Sequence, residues 1–409
     1  MTTQPHLTSA PRIQVIDALR AFALIGIIIN HSSGEYVAGP PVPGYSNVFS
    51  GVDQAVAQLT EIFTFGKFFT IFSFLFGLSF AIQASNATQK GERLSGRFLW
   101  RLLILFAIGF THSLFYSGDI LRIYAFLGLI LLACQKLGNK TLLIVSTLLI
   151  LNAPLLLSRV MAVYAPPPTA EQMAIEQKQG EEFMESAGKE FNIKRHGSVS
   201  EVIAMNISGG LVGTLFFQII SGRLFITLGL FLLGLYVGRQ KLFNGTEENI
   251  TFFKKLLIIS GLAALISTIL ALLYNPGFAP GPTTWLRVLG ATAFDIHQAS
   301  LSVFYVAGFT LLFWKKPRGF LSLLVPAGQM GLTVYLTQTI FGLLLFFGFG
   351  FGMMGKIGVT TSITLALTFY ALQIVLCNVY MKHFRFGPVE WLWRSLTYMK
   401  FQSIRIQSN

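Results

Sequence analysis

The sequence has few charged residues and almost no cysteine. Of its 409 residues, 11% are Asp, Glu, Lys or Arg, whereas 53% are hydrophobic. Because soluble domains carry about 25% charged residues, this chain has too little polar surface to be a soluble enzyme. Disordered, coiled-coil and collagen-like chains are excluded by the same composition. With a mean hydropathy of +0.64, the sequence is that of a polytopic membrane protein.

Several motifs of soluble chemistry are also missing. The two cysteines, Cys134 and Cys377, lie in apolar runs and form no zinc-ligand spacing or disulfide framework. There is no P-loop, no GxSxG elbow and no dinucleotide fingerprint in a strand–helix context. The first apolar run is interrupted by Asp17 and Arg20, and no small-residue cleavage site follows promptly. It therefore does not predict a cleaved signal peptide.

The chain carries a large excess of positive charge. Its 30 Lys and Arg against 17 Asp and Glu give a net charge of +13, which in a soluble protein indicates a nucleic-acid partner. In a membrane protein, cytoplasmic loops collect Lys and Arg, and no basic stripe lies outside the loops. We therefore expect membrane lipids as partners and no nucleic acid.

Ten apolar stretches are candidates for membrane spans, which need about 20 mostly apolar residues. They are residues 13–31, 67–83, 98–116, 119–135, 141–161, 224–238, 253–274, 288–314, 320–349 and 359–381. One further run, residues 202–221, is long enough but contains Asn206, Gly209, Gly210 and Gln218. The prediction is an all-α polytopic integral membrane bundle of about ten transmembrane helices.

The charges of the loops bear on whether residues 202–221 also cross. If they do not, every loop rich in Lys or Arg falls on one side; if they do, the basic loops of the two halves face opposite sides. The positive-inside rule therefore favours ten spans, with both termini in the cytoplasm. Residues 202–221 are then an interfacial or re-entrant helix on the outer side.

These spans divide the chain into three parts. Residues 1–161 form a five-helix half, residues 162–222 an extracytoplasmic loop with the interfacial or re-entrant helix, and residues 223–409 a second five-helix half with a cytoplasmic tail. The Glu-rich loop of residues 162–201 predicts a solvated helix, either a polar surface segment or a lid over a site. In the tail, residues 387–401 read GPVEWLWRSLTYMKF and predict an amphipathic helix on the inner face.

Ionisable side chains within apolar spans mark candidate functional residues, because each costs about 2.5–3.5 kcal/mol at a helix centre. Asp17 and Arg20 lie on one face of the first helix. They form either an ion pair that locks packing or a site for an anionic ligand from the cytoplasm. Lys67 opens the second span in the run FTFGKFFTIFSFLFG, and its ammonium either reaches the interface or binds substrate.

His112 and Asp119 are the strongest candidates for catalysis. They lie in GFTHSLFYSGDILRIYAF, where only Ser117 and Gly118 separate two predicted helices. A tight hairpin brings Asp119 toward His112, and a carboxylate beside an imidazole fixes its tautomer and raises its basicity, as general-base catalysis needs. A structural hydrogen bond that closes the hairpin needs the same geometry, so both interpretations stay open.

Other polar residues in or beside the spans are weaker candidates for substrate binding. His31 ends the first helix, and His297 follows Asp295 in FDIHQAS. Tyr335 and Gln338 lie with other polar residues in the ninth span, where interhelical hydrogen bonding is the alternative role. The histidines share no metal-ligand spacing, so we expect no metal site.

Several segments together resemble one family. They are RIQVIDALRAFALIGIIIN, GKFFTIFSFLFGLSFAIQ, GFTHSLFYSGDILRIYAFLGL, LGLFLLGLYVGR, GQMGLTVYLTQT and FGPVEWLWRSLTY. Over nearly its whole length the chain resembles YeiB-like bacterial inner-membrane proteins, with the domain of unknown function 418 at the C-terminal end. Its opening helix, with an acidic residue three before an arginine, is also distantly similar to membrane acyltransferases of the heparan-glucosamine acetyltransferase type.

The acyltransferase resemblance implies a reaction. Those enzymes move an acyl group from cytosolic acyl-CoA to an acceptor on the far side of the membrane, using a membrane-embedded histidine. By this resemblance the donor substrate is acyl-CoA, the acceptor is an envelope sugar, glycan or lipid, and His112 is a general base or transient acyl carrier oriented by Asp119. The positions that carry over are Asp17, Arg20, Lys67, His112, Asp119, Tyr335 and Gln338.

Two other functions stay open. A transporter or permease of a small solute can use the same polar residues as a solute or proton path, and a non-catalytic scaffold needs none of them. The sequence also does not decide the donor, the acceptor, or whether the protein is a homodimer.

Overall fold

The computed structural model describes residues 13–36, 46, 48–91, 94–167, 169–275 and 283–406. Within these ranges the chain is helical and has no β-strand beyond an isolated bridge between Phe384 and Arg405. Helices are expected where apolar runs enter lipid, because a helix satisfies its backbone hydrogen bonds internally. The predicted all-α membrane bundle is confirmed.

The described residues form seventeen α-helices. The first ten are α1 (Gln14–Asn30), α2 (Gly51–Phe63), α3 (Phe68–Gln89), α4 (Leu94–Phe115), α5 (Leu121–Ala133), α6 (Asn139–Ile150), α7 (Ala153–Val163), α8 (Ala170–His196), α9 (Val199–Met205) and α10 (Leu211–Ile220). The other seven are α11 (Arg223–Arg239), α12 (Glu247–Tyr274), α13 (Trp285–Lys315), α14 (Val325–Gln329), α15 (Gly331–Phe346), α16 (Val359–Tyr380) and α17 (Pro388–Tyr398).

The protein crosses the membrane several times. Six spans in the described part of the chain are long and apolar enough to cross, and the number rises to nine if each of three bent helix pairs is one span. The predicted count of ten is not confirmed. Two of the expected spans are short, since α5 has 13 residues and α11 has 17, whereas a crossing needs about 20.

Three helix pairs are bent at short breaks. α6 and α7 meet at 48°, where Asn152 takes a left-handed conformation with a φ of 55°. α9, continued by the π-helical turn Asn206–Gly210, meets α10 at 46°. α14 and α15 meet at 85°, and Gly328 there packs against α1, since a Cβ atom at Gly328 would lie 1.7 Å from the Asp17 carbonyl oxygen. Residues 202–221, expected as an interfacial or re-entrant segment, are therefore a broken helix.

The two ends of α4 define two ends of the bundle. At its start, α17 is attached by a hydrogen bond of 3.1 Å from the Trp393 indole to the Arg101 carbonyl oxygen. Beyond its other end, Tyr116 shares a buried apolar cluster with Phe191 near the end of α8. We call these the α17 end and the α8 end. The expected solvated helix is the 27-residue α8, which begins with a capping box at Thr169.

Candidate functional site

A cavity of about 1080 Å³ lies between α1, α3, α4, α5, α15 and α17. At the α17 end its lining includes the exposed residues Gln89, Lys241 and Arg394. At its inner end the lining includes Tyr124 and Tyr335, which are 1% and 5% exposed. The cavity therefore extends from the surface of the bundle to buried tyrosine side chains inside it.

The two acidic side chains of the cavity wall are engaged by groups of the protein itself. Asp17 accepts a hydrogen bond of 2.8 Å from Arg20, as the spacing within α1 allows. Glu390 of α17 accepts from the backbone N–H groups of Leu332 at 2.6 Å and Thr333 at 2.9 Å. These N–H groups belong to the first turn of α15, where the helix dipole favours an anion. Arg20 therefore offsets the charge of Asp17, and the N-terminus of α15 partly offsets that of Glu390.

Three basic side chains of the wall are differently placed. Arg101 and Arg394 pack over aromatic rings, with Arg101 4.7 Å from the Trp393 ring centroid and Arg394 5.1 Å from that of Tyr398. Among the described residues, neither these arginines nor Lys241 lies within ion-pair distance of a carboxylate. The α17 end of the cavity is therefore electrostatically suited to an anionic ligand.

Just beyond the inner end of the cavity, the α4–α5 hairpin holds His112 and Asp119 together. The His112 Nδ1 atom lies 2.8 Å from Asp119 Oδ1, and the Asp119 side chain is fully buried. The second carboxylate oxygen accepts from the Arg122 backbone N–H at 3.1 Å and lies 3.5 Å from its side-chain Nε. Because a carboxylate accepts and does not donate, His112 carries a proton on Nδ1.

The other nitrogen of the imidazole faces α15. The His112 Nε2 atom lies 2.9 Å from Thr339 Oγ1. In the neutral imidazole, with its proton on Nδ1, Nε2 is an acceptor and the Thr339 hydroxyl must donate. Sequence reasoning missed Thr339, because its partner is 227 residues away in the chain.

Tyr335 lies between His112 and the cavity. Its ring centroid is 5.3 Å from that of His112, and its side chain lines the cavity wall, whereas His112 is not a lining residue. The Tyr335 hydroxyl is buried without a hydrogen bond of normal geometry. His112 is therefore one aromatic ring away from the cavity.

On the side of α8, Tyr116 lies between His112 and His31. The Tyr116 hydroxyl and His31 Nδ1 are hydrogen-bonded. The Tyr116 ring centroid lies 5.1 Å from that of His31 and 5.7 Å from that of His112. We call His112, Asp119, Thr339, Tyr335 and Tyr116 the His112 cluster. Across the described ranges, no three or more His, Cys, Asp or Glu side chains are grouped to hold a metal ion.

Asp295, His297 and Lys67 belong to a different region. Asp295 accepts from Arg159 at 2.7 Å and from Asn152 at 3.3 Å. We call Asp295, Arg159 and Asn152 the Asp295 cluster. Asp295 does not pair with His297, although the two are near in sequence. The structure thus separates these predicted substrate-binding residues from the cavity.

His297 and Lys67 are engaged by neighbouring helices. His297 Nδ1 lies 2.8 Å from the Thr268 hydroxyl, and His297 Nε2 lies 3.0 Å from the Ile62 carbonyl oxygen. Lys67 is fully buried and donates to the Glu61 carbonyl oxygen at 3.1 Å. The sequence left Lys67 either to reach the interface or to bind substrate, and the structure places its ammonium against α2.

Gln338 faces α16 rather than the cavity. Its amide donates to the Gln373 side chain at 3.4 Å, and Gln373 in turn donates to the Thr337 hydroxyl at 2.7 Å. These are interhelical hydrogen bonds, the alternative that the sequence left open. Sequence reasoning missed Glu390, Arg101 and Arg394 as cavity residues; the signal that could have found them is the basic and aromatic composition of α17 and the start of α4.

The comparisons relate this chain to a family and to proteins whose function is not known. A family model described as "Protein of unknown function (DUF418)" matches residues 237–400. The chain is 29% identical over 402 residues to an uncharacterized 39.9 kDa protein from the amylase 3' region of Bacillus acidopullulyticus, covering 95% of this chain and 94% of that protein. It is 28% identical over 423 residues to the uncharacterized protein YxaH of Bacillus subtilis, covering 98% of each.

The match to a third relative also spans most of both chains. Identity to the uncharacterized protein YeiB of Escherichia coli is 26% over 408 residues, covering 93% of this chain and 95% of YeiB. The family model and these relatives together cover α1 to α17, including the cavity and the His112 cluster. Residues 237–400 thus match the DUF418 family model, and nearly the whole chain is similar to YxaH and YeiB.

Proposed function

We propose that this protein is an integral-membrane acyltransferase, which moves an acyl group from an acyl-CoA donor to a sugar or lipid acceptor of the cell envelope. The observation that carries the proposal is the buried Asp119–His112 pair, with 2.8 Å between Oδ1 and Nδ1. It lies one tyrosine ring from a large cavity whose entrance is basic. A base and a donor-sized cavity side by side are what acyl transfer across a membrane needs.

The cavity is chemically matched to an acyl-CoA donor. The phosphate groups of CoA fit the α17 end, where Arg101, Lys241 and Arg394 lack carboxylate partners among the described residues. The acyl part fits the inner wall, where Phe72 and Phe76 are among the lining side chains. The donor is a substrate and brings its own reactive thioester, so the protein supplies binding, orientation and a base.

His112 acts as the general base of the proposed reaction. It takes a proton from the attacking hydroxyl, and the Asp119 carboxylate stabilises the imidazolium that forms. Tyr335 separates the imidazole from the cavity, so its side chain must change rotamer before the thioester reaches His112. Because the site is closed until the donor binds, water is kept away from His112, and the thioester meets a base in a site without water.

The proposal includes an orientation in the membrane. With the α17 end in the cytoplasm, the basic side chains of the cavity entrance face the compartment that contains acyl-CoA, in agreement with the positive-inside rule. Both termini are then cytoplasmic and the location is the bacterial inner membrane. α8, whose Phe191 packs with Tyr116 beside His31, then lies on the side from which an envelope acceptor approaches.

A transporter is the second candidate, and one observation favours it. The 85° break between α14 and α15 places the N-terminus of α15 in the cavity wall at Gly331 and Leu332. Discontinuous helices whose ends face a binding site are typical of secondary transporters. In this protein the α15 N-terminus is occupied by Glu390, which makes it a docking point for α17.

The test uses membranes that contain the overproduced full-length protein. They are incubated with radiolabelled acetyl-CoA or octanoyl-CoA and an envelope extract, and label in the extract is measured. We expect transfer by the wild type and a loss of about 10- to 100-fold in Asp119→Asn, since a hydrogen bond to a charged group contributes about 1.5–3 kcal/mol. His383→Ala, at an exposed position outside the site, is the control.

Two results decide against the proposal. If the wild type transfers no label to any of a broad set of envelope acceptors, the acyltransferase function is wrong. If the purified protein in liposomes moves a solute and consumes no acyl-CoA, the transporter is correct.

A further inference from the structure

The hydroxyl of Thr339 is turned toward the imidazole rather than toward its own helix. Threonines inside helices usually donate to the carbonyl four residues before them. Thr337, on the same helix, does so at 2.8 Å. The corresponding distance from Thr339 to the Tyr335 carbonyl is 3.5 Å, while His112 Nε2 is at 2.9 Å. The shorter contact therefore links Thr339 to the base.

Asp119, His112 and Thr339 have the order of contacts that activates a hydroxyl nucleophile. The carboxylate holds the protonated Nδ1, so Nε2 is free to accept the hydroxyl proton. A nucleophile within hydrogen-bond reach of a base, and a base oriented by a third group, is the signature of nucleophilic catalysis. We propose that Thr339 is the residue that carries the acyl group as a covalent ester during transfer, which rests on the acyltransferase function proposed above.

The chemistry balances in two steps. In the first, Thr339 Oγ1 attacks the thioester carbonyl carbon and its proton passes to His112 Nε2. The carbon–sulfur bond breaks, and the thiolate takes that proton to leave as CoA thiol. In the second, an acceptor hydroxyl attacks the Thr339 ester and gives its proton to Nε2. The ester carbon–oxygen bond then breaks, and the proton returns to Thr339 Oγ1.

The position of Thr339 suits an intermediate that must last until an acceptor arrives. The residue is 2% exposed and lies one helical turn beyond Tyr335, which lines the donor cavity. Water is excluded from such a site, so an ester formed there is protected from hydrolysis. Toward the α8 end, Tyr116 lies next to His112 and His31 next to Tyr116, so the proposed ester lies between the donor cavity and the proposed acceptor side.

The experiment traps the ester. Purified full-length protein is mixed with radiolabelled acetyl-CoA or octanoyl-CoA in the absence of an acceptor, quenched in acid, and mapped by mass spectrometry. We expect one acyl group on the Thr339 peptide of the wild type and of Thr339→Ser, and none on Thr339→Val. Transfer to envelope extract should fall by at least about 100-fold in Thr339→Val and stay within about tenfold of wild type in Thr339→Ser. Thr337→Val is the matched control on the same helix.

The outcomes separate this proposal from the acyltransferase function. If Thr339→Val transfers at the wild-type rate, or if the trapped acyl group is on His112, Thr339 is not the carrier although the enzyme is an acyltransferase. If the wild type transfers no acyl group at all, the function itself fails and this proposal with it. Loss of folded protein in Thr339→Val is recognised by size-exclusion chromatography, and Thr339→Ser then decides, because acylation of its hydroxyl is required.

Discussion

His112, whose side chain is 7% exposed, and the buried His297 both lie close to an aspartate in sequence, yet their surroundings differ. His112 contacts Asp119 at 2.8 Å and a threonine hydroxyl, beside a cavity. His297 contacts a threonine hydroxyl and the Ile62 backbone carbonyl, and Asp295 pairs with Arg159 instead. One imidazole has a carboxylate that stabilises its cation, and the other does not.

The difference follows from helix geometry. Asp295 and His297 lie two positions apart on α13, so their side chains leave the helix in different directions. Asp295 meets α7, whereas His297 meets α12 and α2. Asp119 follows a tight turn after α4 and folds back on His112. The same residue types therefore form a structural contact set in one place and the proposed base in the other.

The largest expected effect is the contrast between the two histidines. His112→Ala removes the proposed base and should lower acyl transfer by about 10²–10⁴-fold, with the yield of folded protein close to wild type. His297→Ala should lower thermal stability in detergent and leave transfer per folded molecule within about threefold. Equal losses of transfer in both variants would show that the two histidines do not differ in role.

The second expected effect concerns the Asp295 cluster. Arg159→Met removes the partner of a carboxylate that is 6% exposed, and breaking a buried ion pair costs about 3–5 kcal/mol of stability. We expect a lower unfolding temperature in detergent, with transfer by the remaining folded protein unchanged. If the variant is as stable as wild type but transfers no acyl group, the active site lies at this cluster instead.

The smallest expected effect is at the cavity entrance. Arg394→Gln removes one exposed cation from a group of three, and an exposed charge pair contributes about 0.2–1 kcal/mol. The KM for acyl-CoA should rise by up to about fivefold, with kcat unchanged and the difference reduced at high salt. Arg385→Gln, outside the cavity lining, is the control. A fall in kcat with unchanged KM contradicts a role in donor binding.

The sequence predicted contacts between residues close in the chain well, and contacts between distant segments poorly. The all-α fold, the C-terminal helix and the approach of Asp119 to His112 follow from apolar periodicity and a short turn. The contact of Lys67 was not predicted, because it depends on the turn that precedes α3, which directs the ammonium to the Glu61 carbonyl oxygen. Thr339 and Glu390 were missed, because their contacts join segments 227 and 57 residues apart. Hydropathy gives no information on which faces of two helices meet.

One measurement tests the central claim, that the cavity brings an acyl donor to the His112 cluster. An acyl-CoA analogue with a diazirine in its acyl chain is photolysed with the purified protein, and the crosslinked peptides are identified with and without excess unlabelled acyl-CoA. We predict crosslinks on the peptides of Tyr335 and Tyr124 that the competitor removes. Crosslinks on the peptides of Arg159 and Asp295 alone, or crosslinks that no competitor removes, would contradict it.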